Sequence, residues 1–262
     1  MKESPTTIQN TDGFAQAAEV YRRAKRAVAL TGAGISVESG IPDFRSPGGL
    51  WTVFSPDKYA TLDVFLRDTP KAWKLYRALG QSLEGKDPNP GHLALARLEN
   101  EGRLASVITQ NVDSLHQKAG SKQVIEIHGD HRRLQCIKCG NLEGIPEGIL
   151  KSEDIPSCGR CDYPLKPNVV LFGEGVRDMD RIQEVIETCD ALIVTGTSAE
   201  VYPAAGLPAI VHENGGKVFE FNVEETNLTR GGLLSQAVTD YFFPGKAGDT
   251  LPEFVNAVLR QS

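Results

Sequence analysis

Four of the five cysteines lie within 26 residues and have a spacing that suits a metal site. Cys136 and Cys139 form one C-x2-C pair, Cys158 and Cys161 form a second, and 18 residues separate the pairs. Two facing turns of this kind supply the tetrahedral thiolate set of a structural zinc ion, the alternative being four unrelated reduced cysteines. Protein sulfurs would fill every position, so this zinc would have no open site for catalysis. Cys189 stands alone and is predicted to be a small core residue.

A glycine-rich turn that could bind phosphate follows the first apolar run of the chain. Gly32, Ala33 and Gly34 come after the strand-like residues 27–30 and before a helical stretch. Free backbone N–H groups at the beginning of a helix attract phosphate. The pattern lacks the third glycine of the usual dinucleotide fingerprint, so an ordinary tight turn is the alternative.

Polar residues follow other apolar runs, at positions where a hydrophobic core does not call for them. Asn111 and Asp113 come after the apolar run 105–109, although Asp113 could also cap the helix that follows. His128 is a candidate general base, because an imidazole titrates near operating pH. A hydrogen-bonded structural histidine is the alternative.

The apolar runs themselves indicate the elements that would position these residues. Each run is short, rich in β-branched residues and followed by a glycine or polar turn; the runs are 27–30, 105–109, 191–195 and 217–221. Strands that are apolar on both faces and alternate with helices predict a parallel sheet covered on both sides. Ligands bind such sheets at the carboxyl ends of the strands, where these turns fall.

Two segments interrupt this alternation and look like insertions. Residues 46–90 are aromatic-rich, with helical pieces around 61–67 and 70–84, and residues 134–165 hold the clustered cysteines. We therefore expect an α/β fold: a Rossmann-like parallel sheet with a smaller inserted domain, made of a zinc ribbon and a helical segment. The expected nucleotide-binding domain comprises residues 1–45, 91–133 and 166–262, and the small domain comprises 46–90 and 134–165.

Composition excludes several other classes of protein. The 262 residues are 40% hydrophobic and 24% charged, which is ordinary for a folded domain. A net charge of -6 leaves no electrostatic footprint for nucleic acid, and a lysine-rich peptide fits better as a partner. There is no run of eighteen apolar residues and no secretory signal, so we expect a cytoplasmic protein without a membrane span.

Residues 31–45, TGAGISVESGIPDFR, closely resemble the sirtuin signature GAGxSxxSGIPDFR. Further runs resemble successive sirtuin motifs in the same order: TQNVD at 109–113 with Leu115 and His116, IHG at 127–129, PNVVLFGE at 167–174, GTS at 196–198, NVE at 222–224 and GKA at 245–247. The similarity extends over roughly residues 14–260 and includes the cysteine ribbon between IHG and PNVVLFGE.

The resemblance implies an NAD-dependent protein-lysine deacylase. In that reaction the acyl oxygen of a modified lysine displaces nicotinamide from the ribose of NAD+, and the 2′-hydroxyl then captures the acyl carbon. The products are free lysine, nicotinamide and O-acyl-ADP-ribose, so NAD+ is a consumed co-substrate beside one structural zinc. The implied catalytic residues are His128, as the base, and Asn111.

The resemblance also implies which residues contact NAD+. They come from each of the motifs: Gly32, Ala33, Gly34, Ser36, Asp43, Phe44, Arg45, Gln110, Asn111, Asp113, Gly196, Thr197, Ser198, Asn222, Val223, Glu224 and Ala247. Within this set, Asn111 and Asp113 are expected at the nicotinamide, and Phe44 is expected to shield the ribose from water. A plain helix cap is the alternative for residues 196–198.

The resemblance implies substrate contacts at the run PNVVLFGE (167–174) and on the helix around residue 76. Val169, Val170, Phe172 and Gly173 would form an apolar tunnel for the lysine and an edge for an added peptide strand, the alternative being a core strand.

In the sirtuin branch that removes succinyl or malonyl groups, a tyrosine and an arginine three residues later hold the acyl carboxylate. Alignment places Tyr76 and Leu79 there, and a leucine cannot hold a carboxylate. We therefore expect neutral acyl groups.

Three other functions are alternatives for parts of this sequence. A hydride-transferring dehydrogenase would need the complete glycine fingerprint. A nucleic-acid-binding zinc ribbon would need a basic patch, but residues 141–157 hold four acidic residues and one lysine. An ADP-ribosyltransferase or NAD+ hydrolase shares the first chemical step and stays open. The expected partners are proteins or peptides with acylated lysine, without nucleic acid or membrane, and a monomer is compatible with the sequence.

Overall fold

The structure, a computed structural model, describes residues 5–43, 48–231 and 236–260. The strands are, in chain order, β1 (Thr6–Thr7), β2 (Ala27–Thr31), β3 (Ser106–Thr109), β4 (Val124–Glu126), β5 (Gly129–Gln135), β6 (Leu142–Gly144), β7 (Lys166–Val169), β8 (Ala191–Thr195), β9 (Lys217–Asn222) and β10 (Tyr241–Pro244). The α-helices are α1 (Thr11–Arg22), α2 (Leu50–Val53), α3 (Pro56–Tyr59), α4 (Leu62–Arg67), α5 (Thr69–Leu83), α6 (Pro90–Asn100), α7 (Leu115–Ala119), α8 (Met179–Glu187), α9 (Leu207–Glu213), α10 (Asn227–Arg230) and α11 (Ala247–Leu259). Short 3-10 helices span Ala33–Ser39 and Ala204–Gly206.

Seven of the strands form one parallel sheet in the order β1-β10-β9-β8-β2-β3-β4. β2, β3 and β8 are buried along their whole length, as continuous apolar runs in a covered sheet should be. Thr31 at the end of β2 pairs with Thr109 of β3 and with Thr195 of β8. The three strands therefore end at the same level, and the turns that follow them share one edge of the sheet.

Helices cover both faces of this sheet. On one face, Tyr21 of α1 and Phe254 of α11 pack against Phe219 of β9 with ring centroids 5.5 and 5.7 Å away. On the other face, Ile182 and Ile186 of α8 belong to a core that includes strand residues of β2 and β8. The predicted α/β fold with a doubly covered parallel sheet is confirmed.

A second sheet has three strands in the order β6-β5-β7, and it packs against α3, α4 and α5. Trp73 of α5 has no exposed surface, and its indole N–H donates to the carbonyl of Leu165 at 2.9 Å. Because β5 begins at Gly129 and β7 lies at 166–169, this sheet extends beyond 134–165 on both sides. The assignment of residue ranges to two domains stays a prediction.

One face of α5 is buried, and several of its side chains line the space between the two sheets. The carboxylate of Asp68 accepts from the N–H of Lys71 at 3.1 Å and caps the helix, and Pro70 suits its first turn. Trp73, Tyr76 and Leu79 recur at the spacing of one helix face and are buried.

Across residues 5–43, 48–231 and 236–260, no helix is both long enough and apolar enough to cross a bilayer.

Candidate active site

The turns after β2 and β8 meet backbone to backbone. The N–H of Gly34 donates to the carbonyl of Gly196 at 2.8 Å. A Cβ on Gly34 would lie 2.7 Å from the Cα of Gly196, and Gly196 has a φ of +63°. Only glycine permits this approach and this backbone conformation without strain. The G-x-G turn is therefore part of a two-turn contact at the carboxyl edge of the sheet, where ligands bind such folds.

Polar side chains from two of the motifs form one network behind the glycine turn. The hydroxyl of Ser36 donates to Asp113 Oδ2 at 2.6 Å and lies 3.1 Å from Asn111 Nδ2, which also donates to the carbonyl of Gly32 at 3.1 Å. The other oxygen of Asp113 accepts from the N–H of Leu115 at 2.9 Å, at the beginning of α7. Asp113 thus contacts the network and the helix start at once. Burial raises the pKa of its carboxyl, against the hydrogen bonds from Leu115 and Ser36.

A second set of hydrogen bonds joins the turn after β3 to those after β8 and β9. Gln110 Nε2 donates to the hydroxyl of Thr197 at 3.0 Å, and Asn222 Nδ2 donates to the carbonyl of Thr197 at 2.9 Å. Together with the bond from Asn111 to Gly32, these contacts link the ends of four neighbouring strands, β9, β8, β2 and β3.

His128 precedes β5 and is oriented by the chain itself. Its Nδ1 lies 3.1 Å from the carbonyl oxygen of Gln110. Because a carbonyl only accepts, Nδ1 carries the hydrogen, and in the neutral ring Nε2 keeps a lone pair. Burial lowers the pKa of His128, and the hydrogen bond to Gln110 opposes that shift. The ring is therefore neutral at pH 7, as a general base must be.

These residues surround a cleft of about 1150 Å³ that runs from the strand ends to α5. Most of the predicted site residues line it: Gly32, Ala33, Gly34, Asp43, Tyr76, Gln110, Asn111, His128, Val169, Val170, Phe172, Gly173, Gly196, Thr197, Ser198, Asn222, Val223, Glu224 and Ala247. Ser36 and Asp113 lie behind this lining and reach it through Asn111. Phe44 and Arg45 lie outside the described residues.

One end of the cleft is apolar. Tyr76 and Leu79 of α5 lie there with Ala60, Val169 and Leu171, and each of the five is buried. The hydroxyl of Tyr76 is buried without a hydrogen-bond partner among the described residues. Burial, followed by the nearby carboxylate of Glu174, raises the pKa of this phenol well above its usual value, so it stays a neutral donor.

The structure adds lining residues that the motifs did not reveal. Trp51 and Leu75 contribute from the helical segment, and Asn227 and Arg230 contribute from α10. α10 lies beside the cleft because buried Glu220 of β9 accepts hydrogen bonds from three hydroxyls, namely those of Thr226, Thr229 and Thr239. A glutamate inside the apolar run KVFEF was the signal that could have indicated this anchoring.

The four clustered cysteines meet as the spacing predicts. Their sulfurs all lie within 4.8 Å of one another, with Cys136–Cys161 and Cys139–Cys161 at 3.5 Å and Cys139–Cys158 at 3.7 Å. Zn–S bonds of about 2.3 Å in a tetrahedron separate neighbouring sulfurs by about 3.8 Å, so the cage fits zinc. Cys189 is buried elsewhere, as expected of a core residue.

Known proteins share this arrangement over nearly the whole chain. The NAD-dependent protein deacylase of Pyrococcus abyssi is 44% identical over 253 residues, which cover 94% of this chain and 98% of that protein. The NAD-dependent protein deacetylase of Caldivirga maquilingensis is 43% identical over 219 residues, 82% of this chain and 85% of that protein. A crystal structure of a Sir2 homologue–NAD complex superposes with a TM-score of 0.87 at 39% identity, covering 98% and 96% of the two chains.

The fold and the site define the class: an α/β protein with a cleft at the carboxyl ends of a parallel sheet and a four-cysteine zinc ribbon. The model of the Sir2 family matches residues 32–203. A structure of Sir2 with p53 peptide and NAD+ also superposes, with a TM-score of 0.79 at 31% identity over 93% of this chain and 96% of that one. The chain belongs to the Sir2 family, the sirtuins.

Proposed function

We propose that this chain removes neutral acyl groups, acetyl among them, from lysine side chains of proteins. The general activity follows from the family and from relatives named NAD-dependent protein deacylase: the chain is an NAD-dependent protein deacylase. The finer proposal concerns the acyl group, the products and the residues that act. Its main support is His128, a neutral imidazole that lines the same cleft as the glycine turns and the apolar end.

NAD+, when bound, would supply a ribose carbon from which the acyl oxygen displaces nicotinamide, and a hydroxyl that takes the acyl carbon. One water molecule is consumed as the C–N bond to lysine breaks, so that the free amine and O-acyl-ADP-ribose are the products. His128 takes the proton of that hydroxyl at Nε2, the nitrogen left free by the hydrogen bond to Gln110. Asn111 is the second catalytic residue of the proposal, and its amide is held by Ser36 and Gly32. Asp113, held by Ser36, is assigned to the carboxamide of nicotinamide.

The remaining NAD+ contacts are assigned by position along the cleft. Among the described residues, the backbone N–H groups of Ala33 and Thr197 donate to no other group and suit a phosphate. Gly32, Gly34, Gly196 and Ser198 are assigned to the phosphates and the ribose by their motifs. The adenosine end is assigned to residues that follow β9 and β10: Asn222, Val223, Glu224 and Ala247. Asp43 completes the lining next to the glycine turn, and Phe44 and Arg45 belong to the proposal by their motif alone.

The acylated peptide is assigned to the segment that follows β7. Phe172 has its backbone N–H and C=O engaged with Ala60 and Leu62, both at 3.0 Å. In the described part of the chain, the backbone groups of Gly173 have no partner, so they are open to an added strand. Val169 and Val170 then offer apolar walls to a lysine stem that has lost its charge.

The charges around the apolar end favour neutral acyl groups. Leu79 offers no cation, and the lysine nearest this end, Lys166, is already paired with Glu174 at 3.0 Å. Arg77 points elsewhere: its guanidinium lies over the ring of Trp73 and donates to the carbonyl of Asp154 at 2.7 Å. Burying an unpaired carboxylate is costly, so succinyl and malonyl groups are disfavoured here.

The test is mass spectrometry of acetyl-lysine and succinyl-lysine peptides incubated with the protein, with and without NAD+. We expect loss of the acetyl mass only with NAD+, together with nicotinamide and O-acetyl-ADP-ribose, and little change in the succinyl peptide. His128→Ala should abolish this conversion while still binding NAD+. Untouched peptides with NAD+ cleaved to free ADP-ribose would contradict the proposal and favour NAD+ hydrolysis or ADP-ribosyl transfer.

A further inference from the structure

Lys166, at the beginning of β7, is a lysine without any exposed surface. Its Nζ lies 2.5 Å from the carbonyl oxygen of Val169, 3.0 Å from Glu174 Oε2 and 3.5 Å from the carbonyl oxygen of Pro167. An ammonium group has three hydrogens to donate, and these three acceptors satisfy it. Burial lowers the pKa of Lys166, and the carboxylate of Glu174 opposes that shift.

Glu174 lies at the C-terminal end of the segment 166–174, which begins at Lys166. The oxygen that meets Lys166 also accepts from the N–H of Leu171 at 2.8 Å, and the N–H of Glu174 donates to the carbonyl of Leu171 at 2.9 Å. The ion pair therefore ties residue 166 to residue 174 across a loop. That loop carries every residue assigned to the peptide side of the cleft except Tyr76.

One peptide unit connects this ion pair to the catalytic histidine. The carbonyl between Val169 and Val170 accepts from Lys166, while the N–H of Val170 donates to the carbonyl of His128 at 2.8 Å. The loop wall and the backbone of His128 are thus joined through a single planar peptide group, whose two hydrogen-bonding atoms are both occupied. A shift of Lys166 would move both.

Stability alone is a weak reason for such a pair. Two buried charges lose their hydration, and apolar residues of similar size often serve equally well. The geometry points instead to positioning. We propose that Lys166 and Glu174 are positioning residues for peptide binding, which hold the 169–173 wall at the distance from His128 that an acylated lysine requires. This inference rests on the proposed function, since it assumes that the acylated lysine enters at this wall.

The test measures the affinity of a fluorescent acetyl-lysine peptide by anisotropy in the presence of NAD+, along with steady-state KM values for peptide and for NAD+. The variants are Lys166→Met, Glu174→Gln and the double variant. Lys217→Met is the matched control, because its Nζ forms an ion pair with Asp240 at 2.7 Å and lines no part of the cleft. Glu174→Asp keeps the charge but shortens its reach, and it serves if the neutral variants fold poorly.

We expect each single variant to weaken peptide binding about tenfold, because small misplacements in a site have large effects. The KM for NAD+ should change less than about twofold, as expected when only one substrate's binding is altered. The double variant should be no weaker than the worse single variant, because the two residues act as a unit. Lys217→Met should match the wild type in both substrates.

The inference is overturned if folded variants, judged by an unchanged thermal shift with NAD+, bind the peptide like the wild type. Equal losses for peptide and NAD+ would also overturn it, since they indicate general loosening. A wild type that binds the peptide without converting it would contradict the proposed function alone, because the binding comparison among variants still stands.

Discussion

The hydrogen bond from His128 Nδ1 to the carbonyl of Gln110 determines which ring nitrogen can take a proton. No carboxylate is needed for this orientation, because a backbone carbonyl fixes the tautomer as well as an acid would. Burial of the ring then lowers its pKa, so that the base form persists into mildly acidic solution.

The pH dependence of the reaction should report this burial. We expect the acid limb of kcat/KM to fall below pH 6.5, the ordinary value of a histidine, because activity needs the neutral ring and a lowered pKa keeps it neutral further down. Initial rates of acetyl-peptide conversion between pH 5 and 9 measure it. A limb above 6.5, or the same limb in His128→Ala, would contradict the assignment.

Acyl selectivity should depend on a single position of α5. Leu79→Arg introduces a cation three residues after Tyr76 at the apolar end of the cleft, so the ratio of succinyl to acetyl turnover should rise about tenfold or more. Leu66→Arg makes the same change on the exposed face of α4 and should leave the ratio unaltered. Competition between the two peptides, followed by mass spectrometry, gives the ratio directly.

At the scale of elements, the backbone contact between Gly34 and Gly196 should control NAD+ binding. Gly34→Ala places a Cβ where the backbone of Gly196 lies, so the two turns must separate. We expect the KM for NAD+ to rise by about tenfold or more, since the groups proposed to bind the phosphates then lose their geometry. Gly144→Ala meets nothing within 4 Å and serves as the control; equal effects of the two substitutions would disprove the role of the contact.

The stability of the zinc ribbon should depend on its metal. Cys136 and Cys158 are buried in one core with Trp73 and Leu165, so loss of zinc would leave that core without its cross-link. We expect one zinc per chain by metal analysis, and both zinc loss and a lower Tm in Cys139→Ala. Cys189→Ala should keep the zinc, and a variant at Cys139 that retained it would refute the site.

The sequence predicts those elements whose own residues show a pattern of burial. It does not predict elements whose position depends on contacts with other parts of the chain. The strand ending at Thr31 and the helix bearing Trp73 were predictable, because continuous apolar runs and a helical stripe follow from burial. α10 has only four residues, too few for a helix that stands alone, and it depends on Glu220 of another element. The stripe on α5 predicts only that Tyr76 is buried, whereas the resemblance to sirtuins placed it at the substrate, and Tyr76 does line the cleft.

At the scale of the whole molecule, acid should destabilise the fold through two buried histidines. His92 and His116 lie with ring centroids 4.9 Å apart, and His116 Nε2 lies 2.9 Å from the hydroxyl of Thr31. Burial lowers the pKa of His92 to about 4; burial, followed by His92, lowers that of His116 to about 3. The unfolded chain binds protons near 6.5, so below that pH it takes up protons that the folded chain refuses.

The free energy of unfolding should therefore fall as pH drops from 6.5 towards 4, by up to about 3 kcal/mol for each histidine. Urea unfolding at several pH values measures this slope. His116→Gln should flatten it, and His212→Gln controls for loss of an imidazole elsewhere. An unchanged slope in His116→Gln would show that its burial does not govern acid stability.

The seven-stranded sheet ends on its two shortest members. β1 has two residues and β4 has three, whereas the apolar strands β2, β8 and β9 lie in the interior of the sheet. An edge strand offers unpaired backbone groups to any neighbouring chain, and long edge strands are templates for aggregation. Here each edge strand, β1 or β4, could pair with another chain through only a few hydrogen bonds. In concentrated solution, colliding copies of this protein would therefore find little backbone on which to nucleate a fibril.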